Sequence, residues 1–292
     1  MTAPRPSRWI SVGLWVFAFA GLVVIAGYQR RTGPTWPVSG VSDVPGGGEI
    51  AWSLPRSETT GTAARIEIPD PGPGVEATLA WRRYPTEDAF TVIPMEPIDG
   101  RRAAQLPTQP PAGKVEYRVE LAAPGGLAVS LPSGEAVVLR YKGAVPAAVL
   151  VPHVLAMFLG LVVGMRTVLQ AARGGWGLKP LAWTTVALLV LGGLVLGPIV
   201  QKYAFGAFWT GWPAGADLTD NKVAVMVLGW LAAALSLGRP SVAGRGRRFF
   251  VLIAGAVTLV VYLVPHSLRG STLDYDRVDR GEDPSRAVGT GR

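Results

Sequence analysis

Five stretches of this chain contain no Asp, Glu, Lys or Arg: Trp9–Tyr28, Gly143–Met165, Pro180–Gln201, Val223–Gly238 and Phe249–Leu268. A helix needs about 20 mostly apolar residues, and about 17 at the least, to cross the hydrocarbon core of a bilayer. Four of the five clear that length. Val223–Gly238 reaches it once Asn221 and Lys222 are placed in the headgroup zone. The bilayer core admits only helices and closed barrels, so the pattern predicts five spanning helices with the lipid bilayer as their partner. The low charged fraction, 16%, agrees.

The first stretch also contains Ala18-Phe19-Ala20, which satisfies the small-residue rule for signal-peptide cleavage. Apolar residues continue past it to Gly27, which favours an uncleaved anchor over residues 1–28. On either reading, the chain beyond this first helix is exported. It has no cysteine, which removes disulfides, iron–sulfur clusters and thiolate zinc sites.

The net charge of +8 invites a nucleic-acid partner. Its distribution argues otherwise. With the N-terminus cytoplasmic, that side receives Arg5 and Arg8, then Arg166, Arg173 and Lys179, then Arg239, Arg245, Arg247 and Arg248. These stretches carry no acid. Those nine bases exceed the whole surplus, because the other 19 bases meet 20 acids. The bias of basic residues toward the cytoplasm accounts for the charge. The expected topology is N-terminus in and C-terminus out, with no nucleic acid bound.

Residues 29–48 are rich in Pro and Gly and read as a linker. From 49 to 142 the period becomes two. In Val115-Glu116-Tyr117-Arg118-Val119-Glu120-Leu121 apolar and charged residues alternate strictly, as in a strand with one buried face. Val75–Arg82, Glu49–Leu54, Ala64–Ile68, Ala89–Met95, Arg101–Leu106, Leu127–Leu131 and Ala136–Tyr141 are further strand candidates. "PDPGPG", "PTQPPAGK" and "APGG" separate several of them. So many short strands predict an exported antiparallel β-sandwich. "LPTQPPAGKVEYRVEL" resembles the late strands of a fibronectin type III or immunoglobulin-like module. This segment has no His and its acids are scattered on alternating exposed positions, so no catalytic pair stands out.

Residues 143–270 should form a four-helix bundle, with helices at about 146–169, 180–201, 222–238 and 249–266. Gly160-Leu-Val-Val-Gly164 and Gly193-Leu-Val-Leu-Gly197 allow close helix approach, and Pro198 is a candidate kink. Residues 271–292 mix charge with Gly and read as a disordered tail. The predicted fold class is thus a transmembrane helical domain joined to an all-β exported domain.

Both histidines occur in the same tetrapeptide, Leu150-Val-Pro-His153 and Leu263-Val-Pro-His266. Under the expected topology both lie at the outer boundary. There they join Trp209, Trp212, Asp217, Asp220 and Asn221 of "WTGWPAGADLTDNK", and Arg269, Asp274 and Tyr275 of "SLRGSTLDYD". Three readings compete. The residues are interfacial anchors and caps, with Thr219 or Asp220 capping the fourth of the five helices. Or His153, Met157 one turn on and His266 hold copper or a haem b. Or the layer docks another membrane subunit or periplasmic protein, or is linked to ion movement.

"GPIVQKYAFGAFWTGWPAGADLTDNK" and "LVPHSLRGSTLDYD" resemble stretches of an uncharacterised group of bacterial inner-membrane proteins, in which an exported sandwich-like domain precedes a short helical bundle. That resemblance implies an architecture and no activity. The preferred expectation is a non-enzymatic module that binds a partner or ligand at the outer face. The alternative is a haem- or copper-binding membrane protein serving electron transfer.

Overall fold

A computed structural model describes residues 7–126, 128–238, 243–264 and 270–290. The chain divides into two compact units. A helical unit holds residues 1–33, 145–203 and 207–270; a β unit holds 34–144, 204–206 and 271–292.

In the helical unit, α1 runs Arg8–Thr32 and α2 Ala147–Arg173. The third span begins as α3 (Leu178–Leu189), loosens into a π-helical segment at Val190–Leu196, and ends as α4 (Gly197–Phe205). Then come α5 (Leu218–Ser236) and α6 (Arg245–Leu263). These make five helices long and apolar enough to cross a membrane. Their outward faces remain apolar: Phe17, Val24, Leu228 and Val260 are exposed.

Small residues set the packing. A Cβ on Gly160 or Gly164 would sit 3.2 Å from Leu189 and 3.1 Å from Trp230 respectively, so α2 lies against the third span and α5. Trp230, fully buried, donates its indole N–H to Thr258 Oγ1 of α6 at 2.9 Å. Arg166, which the sequence assigned to a connection, lies inside α2 and is 4% exposed. The α-helical hydrogen bonds carry the backbone past the apolar run as far as Arg173.

The β unit opens with a hairpin, β1 (Val38–Asp43) against β2 (Glu49–Leu54). The segment expected as a linker therefore contributes the end of α1 and a strand. The strands β3 (Ser57–Thr59), β4 (Ala64–Pro69), β5 (Glu76–Arg83), β6 (Thr91–Pro94), β7 (Glu96–Ile98) and β8 (Arg101–Leu106) come next. After them are β9 (Lys114–Ala122), β10 (Ala128–Leu131) and β11 (Val137–Lys142). One sheet is ordered β3-β11-β9-β5-β6, with β10 also on β9; another is β4-β8-β7. Pairing is antiparallel except for β11 and β3, which run parallel.

The expected phase of β9 holds. Val115, Tyr117, Val119 and Leu121 are fully buried while the charged residues between them are not. They share one core with Leu54, Ile66, Leu79 and Leu139. Tyr117 enters it without an orphaned hydroxyl, which donates to the Pro55 carbonyl at 2.7 Å.

The expectation of a disordered tail fails. Residues 271–290 form β12 (Ser271–Leu273), α7 (Tyr275–Asp279) and β13 (Val288–Thr290), with β12 and β13 paired. Tyr275 ties the segment to β9. Its hydroxyl accepts from the Lys114 amide at 3.1 Å and faces the Lys114 carbonyl and Gln109 Oε1 at 2.9 and 3.0 Å, donating to one of them. Arg83 stacks over the Tyr275 ring and pairs with Asp279 at 2.8 Å and Asp88 at 2.6 Å. Burial holds the Tyr275 phenol above its ordinary value, so it keeps its donor proton.

The hydrogen bonds from Arg83 hold both carboxylates below their ordinary value. A depressed folded value gives a contribution present above the unfolded aspartate value, about 3.9, and lost as pH falls below it. Amides of 275–281 are therefore expected to lose hydrogen-exchange protection on acidification below roughly pH 4. In Asp279→Asn, protection should be modestly lower at neutral pH and should change less on acidification. A wild-type segment equally protected across that window would show that the pair does not hold it.

Candidate functional site

The site is built where the third span ends and α5 begins. Pro198 has no amide hydrogen, so the carbonyl four residues earlier loses its helical partner. Gly192 and Gly193 precede it, and the backbone takes the wider π spacing, with Gly197 N–H donating to Gly192 O. Pro198, the candidate kink, is preceded by a seven-residue π segment. On α2, His153 Nδ1 lies 2.8 Å from the same Gly192 carbonyl. A carbonyl only accepts, so Nδ1 carries a proton, and in the neutral ring Nε2 is the nitrogen with the lone pair. Among the described residues Nε2 has no hydrogen-bond partner. Pro152 lies six residues into α2, beyond the first turn where its loss of a donor would cost little.

Met157 packs where the glycines make room: a Cβ on Gly192 would lie 3.0 Å from its sulfur. Its thioether is thus part of the α2 contact with the third span. Among the described residues no group of three or more His, Cys, Asp or Glu side chains is placed to hold a metal. His266 and Arg269 lie outside the described residues, so the paired-histidine arrangement has one half here.

The acids of the loop have structural work to do. Asp217, and neither Thr219 nor Asp220, is the N-cap of α5, accepting from Thr219 N–H at 2.7 Å and from Thr210 Oγ1 at 3.1 Å. Asp220 Oδ2 accepts from the amides of Thr210 (2.7 Å) and Gly211 (2.9 Å) and from Gln201 Nε2 (3.2 Å). Asn221 Oδ1 accepts from the Trp212 amide at 2.7 Å. Trp209 donates its indole N–H to the Trp212 carbonyl at 3.1 Å. Gly211 is required by space: a Cβ there would lie 2.6 Å from Asp220 Cβ. The loop is held from within, and Trp212 remains 77% exposed at its tip, with Phe208 57% exposed nearby in sequence.

No protein family matches this chain, and no curated protein is significantly similar to it.

Sequence reasoning grouped these residues by composition and missed the partners that explain them. Gln201 and Thr210 complete the Asp220 network. Lys222, treated as an extension of α5 into headgroups, is buried and donates to the Val264 carbonyl at the end of α6 (2.7 Å), where Gln29 of α1 also donates (3.3 Å). A cation at a helix C-terminus complements the macrodipole. No local signal in the sequence joins Lys222 to a carbonyl 42 residues away. Asp274 and Tyr275 belong to the β unit, where Asp274 caps α7 by accepting from Arg277 N–H at 3.1 Å.

Proposed function

We propose that the protein is a non-enzymatic binding module of a bacterial inner membrane, with an immunoglobulin-like exported domain and a helical bundle that presents the Trp209–Trp212 loop to a partner subunit. The observation that carries this reading is the division of labour in the loop. Its acids are spent on loop amides, while Trp212 projects uncovered. Large aromatics on a rigid support are the usual anchors of protein interfaces, since little side-chain entropy is lost on docking. With Arg166 inside α2, eight bases still flank the inner helix ends without an acid. That supports an N-terminus facing the cytoplasm.

Because the chain has no cysteine, Trp212→Cys provides a unique handle for a photoactivated crosslinker in intact membranes. A discrete protein adduct is expected, absent when the crosslinker is placed at Asp220→Cys. Crosslinking to lipid alone would reduce the loop to an interfacial anchor. Reporters fused after Arg245 and after the C-terminus test the topology, which requires them on opposite sides with the first one cytoplasmic.

One observation favours the cofactor reading. An imidazole whose Nδ1–H is fixed by a backbone carbonyl presents Nε2 in the manner of metal-ligating histidines. His153 has that arrangement. An absorption spectrum with metal analysis of the purified protein decides it: a Soret band or stoichiometric copper lost in His153→Ala supports this reading, and a colourless, metal-free protein removes it.

A further inference from the structure

Among the described residues of the helical unit, Arg166 is a buried cation whose partners are all neutral. Arg166 Nη1 donates to Gln170 Oε1 (2.6 Å), Nη2 reaches Ser11 Oγ (3.4 Å), and the Trp15 ring lies 5.6 Å from the guanidinium carbon. Its Nε is buried without an acceptor. All these partners are neutral, whereas a guanidinium keeps its charge inside proteins. Asp217 and Asp220 are the only carboxylate side chains in the sequence of this unit. Both stand at the first turn of α5, whereas Arg166 lies near the end of α2, and successive spans place those ends on opposite faces. A buried charge without a counter-charge is costly, and intramembrane cations mark sites of anionic ligands or partners.

A second observation gives the ligand its other half. An apolar cavity of about 280 Å³ opens between α1, α2 and α6, lined by Leu22, Met165, Val168, Leu252, Gly255 and Tyr262 among others. Arg166 stands seven residues before Arg173, and Leu252 seven after Arg245. At 1.5 Å per residue each is roughly 10 Å from the same helix ends. On α1 the guanidinium meets Ser11 and Trp15, whereas the cavity is lined by Leu22 and Ile25, so the cation stands nearer that face than the cavity, which extends away from it toward Tyr262. At that face Arg8, Arg173, Lys179 and Arg245 are exposed, with no acid among them. A cation on the shallow side of a hydrocarbon slot fits a phosphate joined to an alkyl chain.

We propose that this seam binds one anionic phospholipid, its phosphate on Arg166 and an acyl chain in the α1–α2–α6 cavity. The test uses the full-length protein in detergent with added phosphatidylglycerol, phosphatidylcholine or inorganic phosphate, read by native mass spectrometry and by the melting midpoint. One phosphatidylglycerol per chain should be retained and should raise the midpoint, with neither phosphatidylcholine nor inorganic phosphate matching it. Arg166→Gln should weaken retention at least roughly tenfold, the scale of losing a buried charge partner, and Arg166→Lys should restore part of it.

Ala256 lines the cavity from an exposed position, so Ala256→Trp should fill the slot and abolish retention without unfolding the protein. That variant decides the matter should Arg166→Gln fail to fold. Unchanged retention in Ala256→Trp, or in a folded Arg166→Gln, overturns the proposal. Equal effects of phosphatidylcholine or of phosphate alone overturn it as well.

Discussion

Val119→Asp is expected to unfold the β unit. Val119 is fully buried at the centre of β9, opposite Leu79 of β5 and Leu131 of β10, both also fully buried. An aspartate there either ionises without a partner or takes up a proton, and neither state recovers the lost packing. The expected cost is roughly 4 kcal/mol or more, a large share of the 5–15 kcal/mol available to an ordinary domain. The neighbouring Glu120 points the other way, one third exposed and paired with Arg118 at 2.7 Å. Glu120→Lys breaks only that exposed pair and should cost under about 1 kcal/mol. Limited proteolysis of the full-length protein separates the two, with rapid cleavage within residues 34–144 for Val119→Asp and a wild-type pattern for Glu120→Lys. Equal sensitivity would mean that the inward phase of β9 is wrong.

Strands of the core were legible because alternation is a long local signal: Glu49–Leu54 and Arg101–Leu106 stand at the positions that it marked. The three-residue strands β3, β7, β12 and β13 are too short to show a period. The C-terminal segment was misread for a related reason. Its order comes from Tyr275 on Lys114 and Asp279 on Arg83, contacts between residues more than 150 apart that composition does not register. Arg166 was misplaced because the apolar run stops at Met165, whereas a helix covered by protein can carry a polar turn further. Around residues 209–222 the dense polarity was visible. What each group does was not, because Asp220 acts on loop amides ten and nine residues earlier in the chain.

Gly193→Leu is expected to disrupt the helical unit. The sequence marked this glycine as half of a small-residue pair, and the structure supplies the surface that needs it: a Cβ would lie 2.4 Å from Val223 Cγ1 of α5 and 3.6 Å from the Met157 sulfur of α2. Val223 is β-branched and stiff at χ1, so it cannot swing clear, and α5 would have to leave the third span. Overpacking of this kind costs roughly 3 kcal/mol or more. By contrast, a Cβ on Gly27 in α1 meets nothing within 4 Å, so Gly27→Leu should stay within about 0.5 kcal/mol. Denaturant titrations in detergent, followed by circular dichroism, provide the comparison. The contact itself is tested by a smaller pair of changes. Gly193→Ala alone should destabilise, and Val223→Ala removes the methyl that blocks the new Cβ. The double variant should then be more stable than the sum of the single losses by about 1 kcal/mol, within the range for residues in contact. Simple additivity would place α5 away from Gly193, and with it the start of the helix whose first turn holds Asp217 and Asp220.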